Sequence, residues 1–318
     1  MKWRGYLKMA VRSSETTFRG INTHSKCSEY LKNIQMNNEP LISVIIPAHN
    51  DAEYIEAAIR SICNQTWRNI EVLVIDDHST DNTAAIVKKI AAEDPRVQYL
   101  SLPFEDPHRI GWRGVNVNAG YAARNFGFEH AKGEWITFQD SDDASLLNRI
   151  EIQYLLAQKY QAMHVSVDWQ QFKEELVGKK LNAEKFLHDE TRLVSADEIT
   201  ALAKKTKGFL MHSWFPHAHI PFVFKWFPPT RKLFFNTLDA YPCAGNTPLF
   251  KSEVIEKVQF RDVNRRVWPS TRGRGADRDF CFQVAETFGR SIAFKIPLYL
   301  WRVRDQNSTY TNPEKDTL

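Results

Sequence analysis

The chain has 318 residues, 43% hydrophobic and 25% charged, which is enough to bury a sizeable core and excludes disordered, collagen-like and disulfide-scaffold proteins. Lys and Arg number 42 against 38 Asp and Glu, and residues 1–40 alone hold seven against three, so residues 41–318 are balanced. That balance excludes an obligate nucleic-acid binder, which concentrates a basic face. No run of about 18 apolar residues occurs, so no transmembrane helix is expected. Cys27, Cys63, Cys243 and Cys281 are too scattered for a zinc site or a disulfide framework. A reducing, cytoplasmic setting is the expectation. The first twenty residues are basic but lack the continuous apolar stretch of a secretory signal.

Residues 1–40 read as a polar, partly helical extension. The pattern then changes. Residues 41–47 (LISVIIP) are a β-branched run typical of a buried strand, and 51–65 have helical apolar spacing. Residues 71–76 (EVLVID) are a second strand, and 82–92 a helix for which Ser79 and Asp81 are the expected caps. A third strand is expected at 96–100, a loop at 103–118, a helix at 119–132 and a strand at 134–139. Alternation at this pitch predicts an α/β fold with a mainly parallel twisted sheet flanked by helices. The second half is less regular. Helices are expected at 148–159, 195–205, 251–257 and 277–288, with strands at 162–167, 291–294 and 298–303.

In parallel sheets ligands bind beyond the carboxyl ends of the strands. The chemically suggestive residues fall there: Pro47-Ala48-His49, Asp76-Asp77 and Asp140-Ser141-Asp142-Asp143. Three Asp in four residues repel one another unless a cation or hydrogen-bond donors compensate. An Asp-x-Asp pair suits Mg²⁺ or Mn²⁺, which share their oxygen shell with substrate phosphates. A solvated acidic turn is the competing reading. A calcium loop is excluded, because Ser145 stands where that loop requires Gly. Phosphate-cradling loops of the GxGxxG and GxxxxGK[ST] types are absent, which weakens dehydrogenase and P-loop readings.

Three ordered blocks resemble the family 2 glycosyltransferases with the GT-A fold: SVIIPAHNDAEYIEAAIRSICNQTWRNIEVLVIDDHSTDNT, then AARNFGFEHAKGEWITFQDSDD, then LFKSEVIEKVQF followed by GADRDFCFQVAETFG. The resemblance implies an inverting transferase, of hexosyl or N-acetylhexosaminyl type. It would move a sugar from a nucleoside diphosphate donor, expected to be UDP-linked, to a glycan or lipid-linked acceptor. It implies that Pro47, Ala48 and His49 contact the nucleotide base and that Asp77, beside Asp76, reads it. Arg124 would lie near the nucleotide. Asp140 and Asp142 would touch ribose and metal, with Asp142 the direct ligand of Mn²⁺ or Mg²⁺. Asp277 would be the catalytic base. The domains then run as an extension (1–40), a nucleotide-sugar-binding half (41–145), an acceptor-binding and catalytic half (146–310) and a tail (311–318).

The chain departs from the family's pattern at four places. An aromatic is common at His49 and a Gly at His78. The Glu that usually precedes the base is Ala276, which leaves Asp279 as a rival. The late His of the family is replaced by a nearby Arg304. A non-catalytic nucleotide-sugar-binding protein is therefore the alternative, and a nucleotidyltransferase a more distant one. An Asp at its ordinary pKa near 4 would take the proton late in the transition state. Residues 261–278 carry six Arg and read as a basic loop closing over the diphosphate or an anionic acceptor. Residues 209–235 are dense in aromatics, with His212, His217 and His219. Core packing is the plain reading there, and peripheral membrane contact the sharper one.

Overall fold

The computed structural model describes residues 39–105, 120–211, 220–235, 237, 239–263, 265–268 and 275–303. The chain divides into two units, Met1–Glu39 and Pro40–Leu318, and all described residues except Glu39 lie in the second. The sheet is organised around β1 (Ile42–Ala48), buried at every position but Pro47. β2 (Ile70–Asp76), buried throughout, runs parallel beside it, with Ala48 opposite Asp76. β3 (Val97–Ser101) adds to β2, and β4 (Trp135–Phe138) to the other side of β1, both parallel.

Continuous apolar strands need cover on both faces. The twofold alternation of β1 supplies it. Ile42, Val44 and Ile46 pack into one core with α1 (Ile55–Cys63) and α2 (Thr83–Glu93). Ile45 enters a second core under α3 (Tyr121–His130). Burial of each such side chain is worth about 1.5–3 kcal/mol. α3 sits close because Gly127 has no Cβ; one there would meet Ile45 Cγ2 at 2.6 Å.

The remaining strands and longer helices are β5 (Ala144–Ser145), α4 (Arg149–Lys159), β6 (His164–Gln171), β7 (Leu193–Val194), α5 (Ala196–Thr206), β8 (Leu249–Lys251), α6 (Ala276–Phe288) and β9 (Ser291–Trp301). The strand order is β3-β2-β1-β4-β8-β6-β9-β5, with β7 on β9. β8 is antiparallel to both β4 and β6, β5 and β7 are antiparallel to β9, and β6 is parallel to β9.

Two expectations of the second half are corrected. The helix expected at 251–257 is a strand end followed by a 3₁₀ turn (Ser252–Glu256), because Leu249 and Phe250 are fully buried between β4 and β6. The two closing strands are one, β9, which continues through Pro297. The register against β6 shifts at Val167/Asp168 and Asp168/Trp169, next to the Asp168–Pro297 pair, where the missing N–H breaks the ladder. α5 begins as expected: the Ser195 hydroxyl accepts from Glu198 N–H, and the Glu198 carboxylate accepts from Ser195 N–H.

Candidate active site

β1 and β2 end side by side, and their loops are sewn together. Asp77 N–H donates to Ala48 O at 2.8 Å, and the His49 imidazole Nδ1 lies 2.5 Å from Asp77 O. Of the two expected caps of α2, Ser79 bonds no N–H of the helix and Asp81 reaches its first residue, Thr83. The Ser79 hydroxyl accepts from Asn50 N–H at 3.0 Å, and Asp81 accepts from Thr83 N–H and from Ala52 N–H. They fasten the loop after β1 to the loop after β2. His78 has φ +57°, the left-handed region that costs most residues about 1 kcal/mol or more. The backbone therefore accounts for the family's Gly at this position. Here the His78 ring pairs through Nε2 with Phe104 O at 2.9 Å.

The two neighbouring carboxylates Asp76 and Asp77 are both buried, and Asp76 is braced. Asp76 Oδ2 accepts from Tyr99 OH at 2.8 Å and Oδ1 from Ser79 N–H at 3.1 Å.

The acidic tip follows β4. Asp140 Oδ1 accepts from Arg124 Nη2 at 2.7 Å, and Oδ2 accepts from Asn246 Nδ2 at 2.6 Å. Arg124 projects from α3 and is buried, with its guanidinium 5.5 Å from the Phe138 ring centre and 5.4 Å from that of Phe260. The same Nη2 lies 3.7 Å from Asp277 Oδ1, at the first turn of α6. The structure thus brings Arg124, Asp140 and Asp277 together.

Asp142 is half-buried, and its carbonyl accepts from Arg302 Nε at 3.0 Å. Asp143 is turned inward: Oδ2 accepts from Tyr299 OH at 2.6 Å and Oδ1 from Arg302 N–H at 2.7 Å. Burial, with Asp142 and Asp140 nearby, pushes its carboxyl well above the ordinary range. Arg302 is clamped on the Phe172 ring at 3.6 Å from the centre. Beneath the tip, the fully buried Arg149 donates to Phe138 O at 3.2 Å and to Thr137 Oγ1 at 3.0 Å. Burial draws its guanidinium down to about 10, and the cation offsets the carboxylates above it.

Asp277 and its rival Asp279 differ in surroundings. Asp279 is fully buried, and its oxygens accept from Val267 N–H (2.6 Å), Trp268 N–H (3.0 Å) and Gln283 Nε2 (3.1 Å), which pins the segment before α6. Asp277 has a side chain 28% exposed, yet its Oδ1 is shut off from solvent without a hydrogen-bond partner among the described residues. Burial raises its carboxyl above the ordinary value. Asp140 adds to the rise, and Arg124 and Arg266 oppose it. The expectation of an ordinary pKa is corrected accordingly. Ala276 is buried against the core, so no charge stands where the family's Glu would be.

Pro47, Ala48, His49, Asp76 and Asp77 thus line the β1–β2 side, while Arg124, Asp140 and Asp277 meet beneath the acidic tip. Sequence reasoning missed Asn246, Tyr99 and Tyr299 as partners of these carboxylates. None of them stands in a chemical motif, and their role comes only from contacts across the chain. Of the basic loop, Arg272 and Arg274 lie outside the described residues, as do Arg304, His212, His217 and His219. Arg266 is not solvated: it is buried, 5.8 Å from the Tyr121 ring centre.

Among the described residues, no group of three or more His, Cys, Asp or Glu could cage a metal ion. Both Asp140 oxygens already accept from N–H donors. A hard divalent cation here would have to be held by one carboxylate, Asp142, together with substrate phosphates, a shell that Mg²⁺ commonly adopts. No helix of the described residues is long and apolar enough to cross a membrane.

A family model described as "Glycosyl transferase family 2" matches residues 43–215. An uncharacterized glycosyltransferase of Haemophilus influenzae is 40% identical over 117 residues, 36% of this chain and 42% of that protein. The GalNAc(5)-diNAcBac-PP-undecaprenol beta-1,3-glucosyltransferase of Campylobacter jejuni is 36% identical over 108 residues, 34% of this chain and 31% of that protein. The chain thus spans about two fifths or less of the length of these curated relatives. Among solved structures, S. aureus TarS 1-349 in complex with UDP-GlcNAc has a TM-score of 0.50 at 18% identity, covering 86% of this chain and 63% of that one, a likeness of fold.

Proposed function

The chain belongs to glycosyl transferase family 2, and from that premise we propose that it transfers a sugar from a nucleoside diphosphate sugar to a hydroxyl acceptor, with inversion and with Asp277 as general base. The observation that supports this most is the convergence on Arg124: Asp140 at 2.7 Å from one strand end and Asp277 at 3.7 Å from a distant helix start. A guanidinium between two carboxylates lets both stay ionised close to one another.

In this reading the nucleotide base lies along Pro47, Ala48 and His49 and is read by Asp77, while Asp76, braced by Tyr99, holds the turn. Asp140, held by Arg124 and Asn246, faces the ribose and sugar hydroxyls. Asp142 would hold Mn²⁺ or Mg²⁺, which when bound would supply Lewis-acid neutralisation of the diphosphate worth several kcal/mol. The acceptor oxygen attacks the anomeric carbon and passes its proton to Asp277. The bond to the diphosphate breaks, and its electron pair leaves on the phosphate oxygen. A carboxylate raised above its ordinary pKa is a stronger base for that step. We take the donor to be UDP-linked, as in the TarS complex, and the acceptor to be a glycan or a lipid-linked saccharide, as the name of the C. jejuni relative describes for that enzyme.

The test is a donor panel. Purified protein with Mn²⁺ or Mg²⁺ should release nucleoside diphosphate from one nucleotide sugar. Asp277→Asn should bind that donor unchanged in calorimetry while release falls about 10²–10⁴-fold. Binding without release in the parent protein, with every acceptor class supplied, would make it a binding protein of this fold. No binding of any donor would end the reading.

A further inference from the structure

Residues 199–238 hold six Lys or Arg and no Asp or Glu, whereas the rest of 41–318 holds 29 against 35. The same stretch has nine Phe and Trp. Of the five Phe whose side chains are described, Phe234 and Phe235 are buried and the other three are not. Phe209 (64% exposed), Val223 (68%), Phe224 (62%), Phe227 (57%) and Leu233 face outward.

The short helix Phe222–Trp226 has inverted polarity. Its one charged residue, Lys225, is fully buried, with burial drawing its ammonium down to about 8, while Val223 and Phe224 point to the surface. Leaving those two apolar side chains in water is unfavourable.

The exposed residues belong to one packed unit. Gly208 N–H donates to Phe234 O at 2.8 Å and Leu210 N–H to Leu233 O at 2.7 Å, which sets Phe209 beside Leu233. Thr230 donates through N–H to Phe227 O at 3.0 Å and through its hydroxyl to Phe224 O at 2.9 Å. Phe234 and Phe235 are buried beneath. Exposed Arg231 and Lys232 adjoin the apolar residues. Just beyond, Asp239 O accepts from Arg278, the neighbour of Asp277.

We propose that Phe209, Val223, Phe224, Phe227 and Leu233, with Arg231 and Lys232, form a surface that docks on an anionic lipid bilayer. Lys205 and Lys207 are paired with Asp239 and Glu286, and Lys225 is buried, so the positive charge beside the apolar patch comes from exposed Arg231 and Lys232. An apolar patch edged by two cations fits a hydrocarbon boundary under negative headgroups. A second copy of the chain is the poorer occupant, because it would press two basic stretches together.

The experiment is vesicle flotation of the full chain. It should float with phosphatidylcholine vesicles containing phosphatidylglycerol and not with phosphatidylcholine alone, and salt should weaken the binding. Phe224→Ser with Phe227→Ser should lower the bound fraction at least roughly tenfold at an unchanged circular dichroism spectrum. Arg231→Gln and Lys232→Gln, at exposed positions, should each cost about fivefold, which keeps the test open if the serine variant misfolds. No flotation, flotation unaltered by these variants, or a patch-dependent dimer in sedimentation velocity would overturn the proposal. Donor turnover is read separately, so failure here leaves the transfer chemistry untouched, and failure there leaves this surface untouched.

Discussion

In the parallel half of the sheet, Pro47 to His49, Asp76, Asp77 and Asp140 to Asp143 each lie within five residues of a strand's carboxyl end. In the other half, Asn246, Asp277, Tyr299 and Arg302 reach the same acidic tip from a loop, a helix start and the last strand. The first set is placed by local register, and Asp140 and Asp143 within it are then held by partners from elsewhere in the chain. The second set is placed by contacts spanning more than a hundred residues, so a change there tests whether the two halves make one site.

The variant that should break this junction most severely is Arg124→Ala. Asp140 and Asp277 would face each other with no guanidinium between them. Donor turnover should fall about 10³-fold, the scale of a lost preorganised charge. Stability, by urea unfolding, should fall by about 2–3 kcal/mol, below the full cost of breaking a buried pair because both carboxylates are about a quarter exposed. Arg124→Lys should recover stability more than turnover, since an ammonium keeps the charge but not the fork. Loss of stability with unchanged turnover would make Arg124 a structural residue only.

Asn246→Ala removes the second donor to Asp140. It should lower kcat roughly tenfold with donor affinity nearly unchanged, from the loss of one charge-assisted hydrogen bond worth about 1.5 kcal/mol. A change in donor affinity without a change in kcat would instead place Asn246 with the donor-binding half.

His164 gives the smallest effect and sharpens the comparison from the structural side. It is fully buried on β6, neither ring nitrogen has a hydrogen-bond partner among the described residues, and burial pulls it down to about 3. The unfolded chain takes up a proton near pH 6.5 that the folded imidazole refuses. Stability is therefore complete above pH 6.5 and declines as pH falls from 6.5 toward 3. Between pH 7 and 5 the loss should be on the order of 1–2 kcal/mol by urea unfolding. His164→Phe should remove this slope and leave donor turnover intact. An equal slope in both proteins would show that the ring is hydrated.

Legibility in the sequence divides along the same line. The β-branched runs at Ile42–Ala48 and Ile70–Asp76 could be read because a strand buried on both faces needs an uninterrupted apolar stretch, and the acidic tip because three Asp in four residues demand compensation. β8 was hidden. Three residues cannot declare a period, and Leu249 and Phe250 are apolar equally for a helix or a strand. Pro297 made one strand look like two. Asp277 was legible only through the family's pattern, and its separation from Asp279 needed the Val267 and Trp268 N–H groups that claim the latter. Asn246 and Tyr299 bear no local mark, because their function is to be near Asp140 and Asp143.

The most direct test of a single site built from two halves is a double-mutant cycle in kcat between Asp140→Asn and Asp277→Asn. Both carboxylates contact one guanidinium and repel each other, so the losses should not multiply. The double variant should retain at least about tenfold more activity than the product of the single effects, a coupling of about 1.4 kcal/mol. Losses that multiply within error would mean that Asp140 and Asp277 act independently, and would contradict the account.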